Sequence, residues 1–372
     1  MRLQSVTFVS VSTALSTPLP LPSGDCDPRD RRGRRHPLGC ILLTALCAVV
    51  AGARCLEAIG PWAANAPQPT LARLGARTIS PALGLRQAPS PATIRRVLTA
   101  LDPAVLVGLA AAEDAAVLIV DGKSLRAAAT ANSGPAHLLA AMTDQGRIAA
   151  HVRVGDTTSE IAAVAELLAN IDITGCVISA DALHAQKATA EYLAKRGADY
   201  LLTLKANQPT LFAQAKALPW AQAPVLERCR ERAHGREEVR TATVLTAPAI
   251  AFPNAAQVVR IHRWVRTIAT GRVRRSYAYL VTSLPANRAT AQRLAHLVRG
   301  HWRIEARHHI RDVSFGEDAS RVRTGAAPQN MALLRAIAIG LLAGLGFPSI
   351  PTAYRWVGYD CFTRPLDLLG LA

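Results

Sequence analysis

Residues 115–124 read AAVLIVDGKS: six apolar residues, Ala115 to Val120, that stop on the carboxylate of Asp121. Such a run, rich in Val and Ile, has the pattern of a strand buried on both faces. A charge at the end of a buried strand calls for a turn, a cap or a partner of opposite sign. The residues after it look like more strand. HLLAAMTD (137–144) and RIAAHVRVG (147–155) are separated by Gln145-Gly146, a hairpin signal, so the first three strands read as a meander. A helix over Glu160–Asn170, a strand CVISAD (176–181), a helix over Ala185–Arg196 and a strand DYLLTLK (199–205) come next. Short strand–helix–strand steps imply a parallel half joined to the antiparallel meander, an α/β fold with a mixed five-stranded sheet and flanking helices.

The second half repeats the feature of the first. Ser179-Ala180 gives way to Asp181-Ala182-Leu183-His184, as Val120 gives way to Asp121-Gly122-Lys123. Taken singly, an Asp at a strand end is usually a turn residue or a helix cap. On neighbouring parallel strands the two would emerge at one sheet edge, within reach of a common metal ion. Two carboxylates held together favour a divalent cation over mutual repulsion, and hard oxygen ligands favour Mg²⁺ or Mn²⁺. Two such ions about 4 Å apart can activate a water or a 3′-hydroxyl on one side of a phosphodiester and stabilise the leaving oxygen on the other. The strongest candidate for a third acid is Glu305, on a helical stretch amid Arg299, Arg303, Arg307, His308 and His309. Glu317 and Asp318 are its rivals, although capping the following segment is their plainer use. Lys123 and Lys205 fall near the same edge, as phosphate contacts or as ordinary surface lysines. His184 could hydrogen-bond a metal ligand or simply start a helix, and Trp302 reads as core packing before a base-stacking wedge.

Charge points the same way. The 372 residues carry 43 Lys and Arg against 26 Asp and Glu, a net charge of +17, which suits a polyanionic partner. Half the chain is hydrophobic, enough to bury a core and to exclude whole-chain disorder. The seven cysteines are scattered and contain no Cys-x-x-Cys pair, so neither a zinc site nor a disulfide framework is indicated and a reducing, cytoplasmic setting fits. Cys40, Cys47 and Cys55 recur near two helical turns, as one buried helix face would. The uncharged run Leu38–Ala53 is short of the ~20 residues that span a bilayer and reads as a core helix, so no membrane partner is expected.

Residues 1–27 read as a flexible leader, and 28–103 as a small helical domain expected to contact DNA. It opens on RDRRGRR (29–35), five arginines against one aspartate, a basic arm that could clamp phosphates or stay solvated. It closes on PSPATIRRVLTALD (89–102). There Ser90 can cap, Pro91 suits the first helical position, and Ile94, Val97, Leu98 and Leu101 share a face while Arg95 and Arg96 point outward as candidate DNA contacts. A core over 104–346 follows, with a β-rich insertion at about 210–285 and a tail over 347–372. Within the insertion, EEVRTATVL, QVVRIHRWVRTI and RVRRSYAYLVTSL alternate as strands, the last two joined at Thr270-Gly271. Six arginines and no acid lie between Gln257 and Arg275, so Arg260, Arg266, Arg272 and Arg274 are candidates to meet a DNA backbone.

The strings IVDGKSLR, HVRVGDTTSEI, SADALHAQ, GADYLLTLKANQP, RGHWRIEARHHIRDVSFGEDASRVRTG and APQNMALLRAIAIGLL, in that order, resemble the H-repeat-associated insertion-sequence transposases, a branch of the DDE superfamily. RRHPL, AGAR and PSPATIRRVL resemble that family's N-terminal associated region. The resemblance implies an RNase H-like core, a metal-binding triad of Asp121, Asp181 and Glu305, two Mg²⁺ or Mn²⁺ ions, and a β-rich insertion between the second and third acids. It also implies a bacterial enzyme that cleaves DNA at element ends and transfers the strand into target DNA. The terminal inverted repeats and the target would be its partners, a homodimer its working form and the nucleoid its place. Many related transposases carry an Arg four residues before the glutamate and a Lys seven after it. Here those places hold His301 and Asp312, with Arg299, Arg303 and Arg311 near enough to take over phosphate contacts, and Ala306 stands where the family often has Asn. Two other readings share these residues: an RNase H-like nuclease, and a DNA-binding relic without activity.

Overall fold

The computed structural model describes residues 22, 24–110, 115–125, 136–155, 160–225, 227–233, 235–247 and 250–371, with only the backbone described for Ala136, Glu160 and Glu305. Most of the expected leader, 1–21 and 23, lies outside them. In chain order the helices and strands are α1 (Leu38–Ala51), α2 (Leu56–Ala64), α3 (Gln68–Arg73), β1 (Thr78–Ser80), β2 (Leu85–Arg86), α4 (Pro91–Ala100) and α5 (Pro103–Ala110). Then come β3 (Val117–Leu125), β4 (Ala136–Thr143), β5 (Ile148–Val154), α6 (Glu160–Leu168), β6 (Val177–Ala180), α7 (Lys187–Lys195), β7 (Asp199–Leu204) and α8 (Pro209–Ala217). The chain continues through β8 (Glu227–Ala233), β9 (Arg236–Thr246), β10 (Gln257–Thr267), β11 (Val273–Thr282), α9 (Ala291–Val313), α10 (Ala327–Ala343), α11 (Ile350–Gly358) and α12 (Arg364–Leu368). They fall into two compact units. One comprises residues 1–111, 124–136 and 307–372, the other 112–123 and 137–306.

In the first unit α1 is buried from Leu38 to Val50, because a helix without a charged residue has no face to offer water. It packs on α10, α2, α11, α12 and α4. Gly52, at φ +128°, ends it where a side chain would be strained. Helix α4 forms as its sequence dictates: Ser90 Oγ accepts the Thr93 N–H at 3.2 Å, Pro91 occupies the first turn, Ile94, Val97 and Leu98 are buried, and Arg95 and Arg96 are exposed. The expected tail, 347–372, forms α11 and α12, and both pack on α1. The expected basic arm is partly folded back. Arg29 grips the buried Asp27 with Nε at 2.9 Å and Nη2 at 2.7 Å and donates to the His36 carbonyl, while Arg34 donates to the Asp27 carbonyl. No single helix among the described residues is long and apolar enough to cross a membrane; α1 and α2 pass such a test only jointly, bent by 101°.

The second unit is built on the sheet. Its order is β5-β4-β3-β6-β7-β11-β10-β9-β8, nine strands where five were expected, because β11 adds antiparallel to β7 and the whole β-rich segment extends the same sheet. The antiparallel β4–β5 hairpin, with β3 beside β4, and the parallel β3-β6-β7 half are present. Strand alternation divides the core. Leu118, Val120, Ile178, Ala180, Tyr200, Leu202 and Leu204 pack with residues of α6, α7 and α8. Val177 and Leu201, with Val117 beside them, pack with Leu294, Ala295, Leu297 and Val298 of α9. Strand β3 does not stop at the acid. Its parallel pairing with β6 ends at Val120↔Ala180, yet β3 continues to Leu125 beside β4, its other neighbour.

Candidate active site

Asp121 and Asp181 are the residues that follow the last paired positions of two adjacent parallel strands. Alternation places 117, 119 and 121, like 177, 179 and 181, on the face that α9 covers. Both carboxylates are partly buried or half-exposed rather than sunk in the core. Asp121 Oδ1 accepts the Gly122 N–H at 2.9 Å. Lys205, the residue after β7, is on the same face, and its Nζ donates to both oxygens of Asp181 at 3.0 and 3.1 Å. Burial pushes the Asp181 carboxyl up, but the Ala182 N–H, the Lys205 hydrogen bond and charge, and His301 together outweigh it and hold the group below its ordinary value.

Helix α9 is docked here by His301. The ring is buried, with Nδ1 3.2 Å from Ser179 Oγ on β6. Burial lowers its pKa; Lys205 and His184 push the same way and Asp181 opposes them. A Cβ on Gly300 would make ordinary contact, 3.8 Å, with Ile119 of β3 and with Asp144. Glu305 follows His301 by one helical turn, about 6 Å along the axis, and Asp121 and Asp181 follow Ile119 and Ser179 by two strand residues, about 6.6 Å. Among the described residues no three His, Cys, Asp or Glu groups form a metal cluster, and the Glu305 side chain lies outside them.

The rival acids are elsewhere. Glu317 is buried between Arg311, at 2.7 Å, and Arg335, at 3.3 Å, so it is shared as counter-charge by two interior guanidiniums. Arg311 is thereby withdrawn from any phosphate. Arg299 is bridged to Glu227, whereas Arg303 is exposed. Trp302 is partly buried against the sheet, with the Arg240 guanidinium 5.6 Å from its ring. Lys123 lies two residues beyond Asp121 on the same strand face.

The candidate arginines of the β-ribbon are not one set. Arg266, Arg272 and Arg274 are exposed, but Arg260 stacks over Trp220 at 4.7 Å and Tyr277 at 5.5 Å. Val265 opposes Arg274 and Val273 opposes Arg266, so Arg266 and Arg274 emerge on opposite faces. The absence of acids also held only along the strand. Glu238 on β9 bridges Arg263 at 2.6 Å and Arg240 at 2.5 Å.

Residues 113–341 match the family described as the transposase DDE domain, and residues 26–110 match the DDE transposase-associated region. The chain belongs to this transposase family. The DDE transposase is 28% identical to the "H repeat-associated putative transposase YhhI" of Escherichia coli (strain K12) over 82% of this chain and 85% of that protein. It is 30% identical to the "H repeat-associated putative transposase YbfD" of the same strain, over 57% of this chain and 87% of that protein. Among solved structures it shows a likeness to the piggyBac transposase synaptic complex with hairpin DNA. The TM-score is 0.39 at 10% identity, over 74% of this chain and 57% of that one. The transposase's sequence named Asp121, Asp181 and Lys205 but not the bond between the last two. It marked His301 only as a departure from an Arg position. The signal for its docking role was its place one turn before Glu305 and the small polar Ser179 in an otherwise apolar strand.

Proposed function

We propose that the chain is a metal-dependent DNA transposase, cutting DNA at the ends of an insertion element and joining the freed 3′-hydroxyl to a target. The observation that carries this is the emergence of Asp121 and Asp181 from paired parallel strands on the face covered by α9, with Glu305 one turn past the anchored His301. The donor set fits a hard divalent cation: carboxylate oxygens only, with the Lys205 ammonium already standing where positive charge is favoured. Asp121, Asp181 and Glu305 would hold Mg²⁺ or Mn²⁺. When bound, such ions supply activation of a water or 3′-hydroxyl and stabilisation of the leaving oxygen.

The protein's own contribution is electrostatic and positional. Asp181 is kept ionised, ready to ligate. His301 fixes α9 against β6 through Ser179. Lys123, Lys205 and the exposed Arg303 are positioned to contact phosphates that flank the reacting one. Arg266, Arg272 and Arg274 would hold DNA along the ribbon. An antiparallel tip bearing arginines on both faces suits insertion into a groove better than a flat contact.

Incubating the protein and Mg²⁺ with a duplex carrying the element end and a target plasmid tests the reading. Strand-transfer product from the wild type, lost in Asp121→Asn, Asp181→Asn and Glu305→Gln while DNA binding persists, is expected. Nicking without joining would favour a nuclease, and no metal-dependent cleavage a non-catalytic binding protein.

A further inference from the structure

Inside the first unit a cavity of about 980 Å³ opens among the start of α2, the outer face of α4 and the connection from α9 to α10. Arg54, Arg95, Arg96, Arg321 and Arg323 line it, and among the described residues Glu57 is the one carboxylate in its wall. All six are exposed. Like charges repel, and five guanidiniums gathered around one concavity call for an anionic occupant.

The wall carrying Arg321 and Arg323 is held in register with α4. The Ala326 N–H donates to the Thr99 carbonyl at 2.9 Å, and Asn330 Nδ2 donates to the carbonyls of Leu98 and Leu101, each at 2.9 Å. Gly325 passes so close that a Cβ would lie 2.5 Å from the Thr99 oxygen, and its φ of +54° excludes most other residues. At the near end, Glu317 is locked between Arg311 and Arg335. The arginines thus project from a preformed frame, and Thr99, Ser320 and Thr324 add hydroxyls to it.

We propose that this cavity clamps the sugar-phosphate backbone of duplex DNA without reading its sequence, an inference that rests on the DNA-handling function proposed above. The cavity is too large for a lone inorganic ion. The described residues around it include no aromatic ring on which an unpaired base or a free nucleotide would stack. Guanidiniums and hydroxyls without base-stacking surface are the chemistry of backbone contact.

The test measures binding of the full chain to a labelled element-end duplex and to a scrambled duplex of equal length, across a salt series. In the Arg95→Gln/Arg96→Gln/Arg321→Gln/Arg323→Gln protein, the slope of log affinity against log salt should flatten by about 0.9 for each phosphate no longer neutralised, equally for both duplexes. Glu57→Gln, which removes only an exposed acid, should tighten both and keeps the test decisive if the quadruple variant does not fold. An unchanged slope in a folded quadruple variant, a weakening confined to the element end, or no gain in Glu57→Gln overturns the clamp. A wild type that binds with the expected salt response but never cleaves would instead defeat the transposase reading and leave the clamp standing.

Discussion

Lys205 Nζ bridges both oxygens of Asp181, so the ammonium occupies the side of the carboxylate from which a cation would be taken up. The pair is open to solvent, at 61% and 44% exposure, and an ion pair this exposed contributes about 0.2–1 kcal/mol. Lys205→Ala should therefore raise the Asp181 pKa toward its ordinary value and tighten Mn²⁺ binding by about two- to five-fold. Calorimetric titration of the DNA-free protein measures it; weaker Mn²⁺ binding would mean that Lys205 organises the site rather than competing for it.

Removing the acid between Arg311 and Arg335 leaves two buried guanidiniums without their counter-charge. Glu317→Gln should lower unfolding stability by about 3–5 kcal/mol, as breaking buried ion pairs does. Protein that does fold should still cleave DNA. Urea denaturation reads the first effect, and a decrease below about 1 kcal/mol would contradict the burial of the triad.

The ribbon arginines should separate by role. Arg266→Gln/Arg274→Gln removes two exposed charges and should flatten the salt dependence of DNA binding by up to about 1.8 in slope with little change in stability. Arg260→Gln loses its stacking on Trp220 and Tyr277 and should cost about 0.5–2 kcal/mol of stability with the salt slope kept. The reverse pattern would exchange their roles.

His36 is buried, and that burial, followed by the charges of Arg29 and Arg77, lowers its pKa below 6.5. Below that pH the unfolded chain binds a proton that the folded chain resists. The contribution of neutral His36 is complete above about 6.5 and declines as pH falls through the folded value, with a slope of at most about 1.4 kcal/mol per pH unit. In denaturation midpoints taken from pH 7 to pH 5, His36→Gln should show a shallower decline than the wild type. Parallel curves would remove His36 from the acid response.

The local pattern revealed the elements and their faces. The expectation of neighbouring parallel strands put both acids at one sheet edge, and the Ser90-Pro91 start and the Ile94–Leu98 stripe gave α4 its buried and exposed faces. What remained hidden lies between segments distant in sequence. Nothing within α10 announces that it will pack on α1. Nothing within β10 says that Glu238 will come alongside Arg263, because an acid 25 residues upstream becomes a neighbour only through strand register. Glu317 read as a cap or a rival acid, and its pairing stayed hidden because its two arginines are brought to it by a helix end and by the next helix. Glu305 was singled out for its basic surroundings, and nothing in the sequence said that the helix bearing it would be tied to β6 by the His301–Ser179 contact.

The hydrogen bonding of β11 to β7 bears on how far the protein can be shortened. Residues 227–282 look, by sequence, like an accessory that could be cut away to leave a smaller enzyme. In the fold their last strand covers the border of β7, whose six residues are all buried and whose end presents Lys205 to Asp181. Excision would turn that strand into a bare, apolar margin with unpaired amides, a template for association between molecules. A trimmed protein should be sticky before it is inactive, and the smallest version that stays in solution is one that keeps β11.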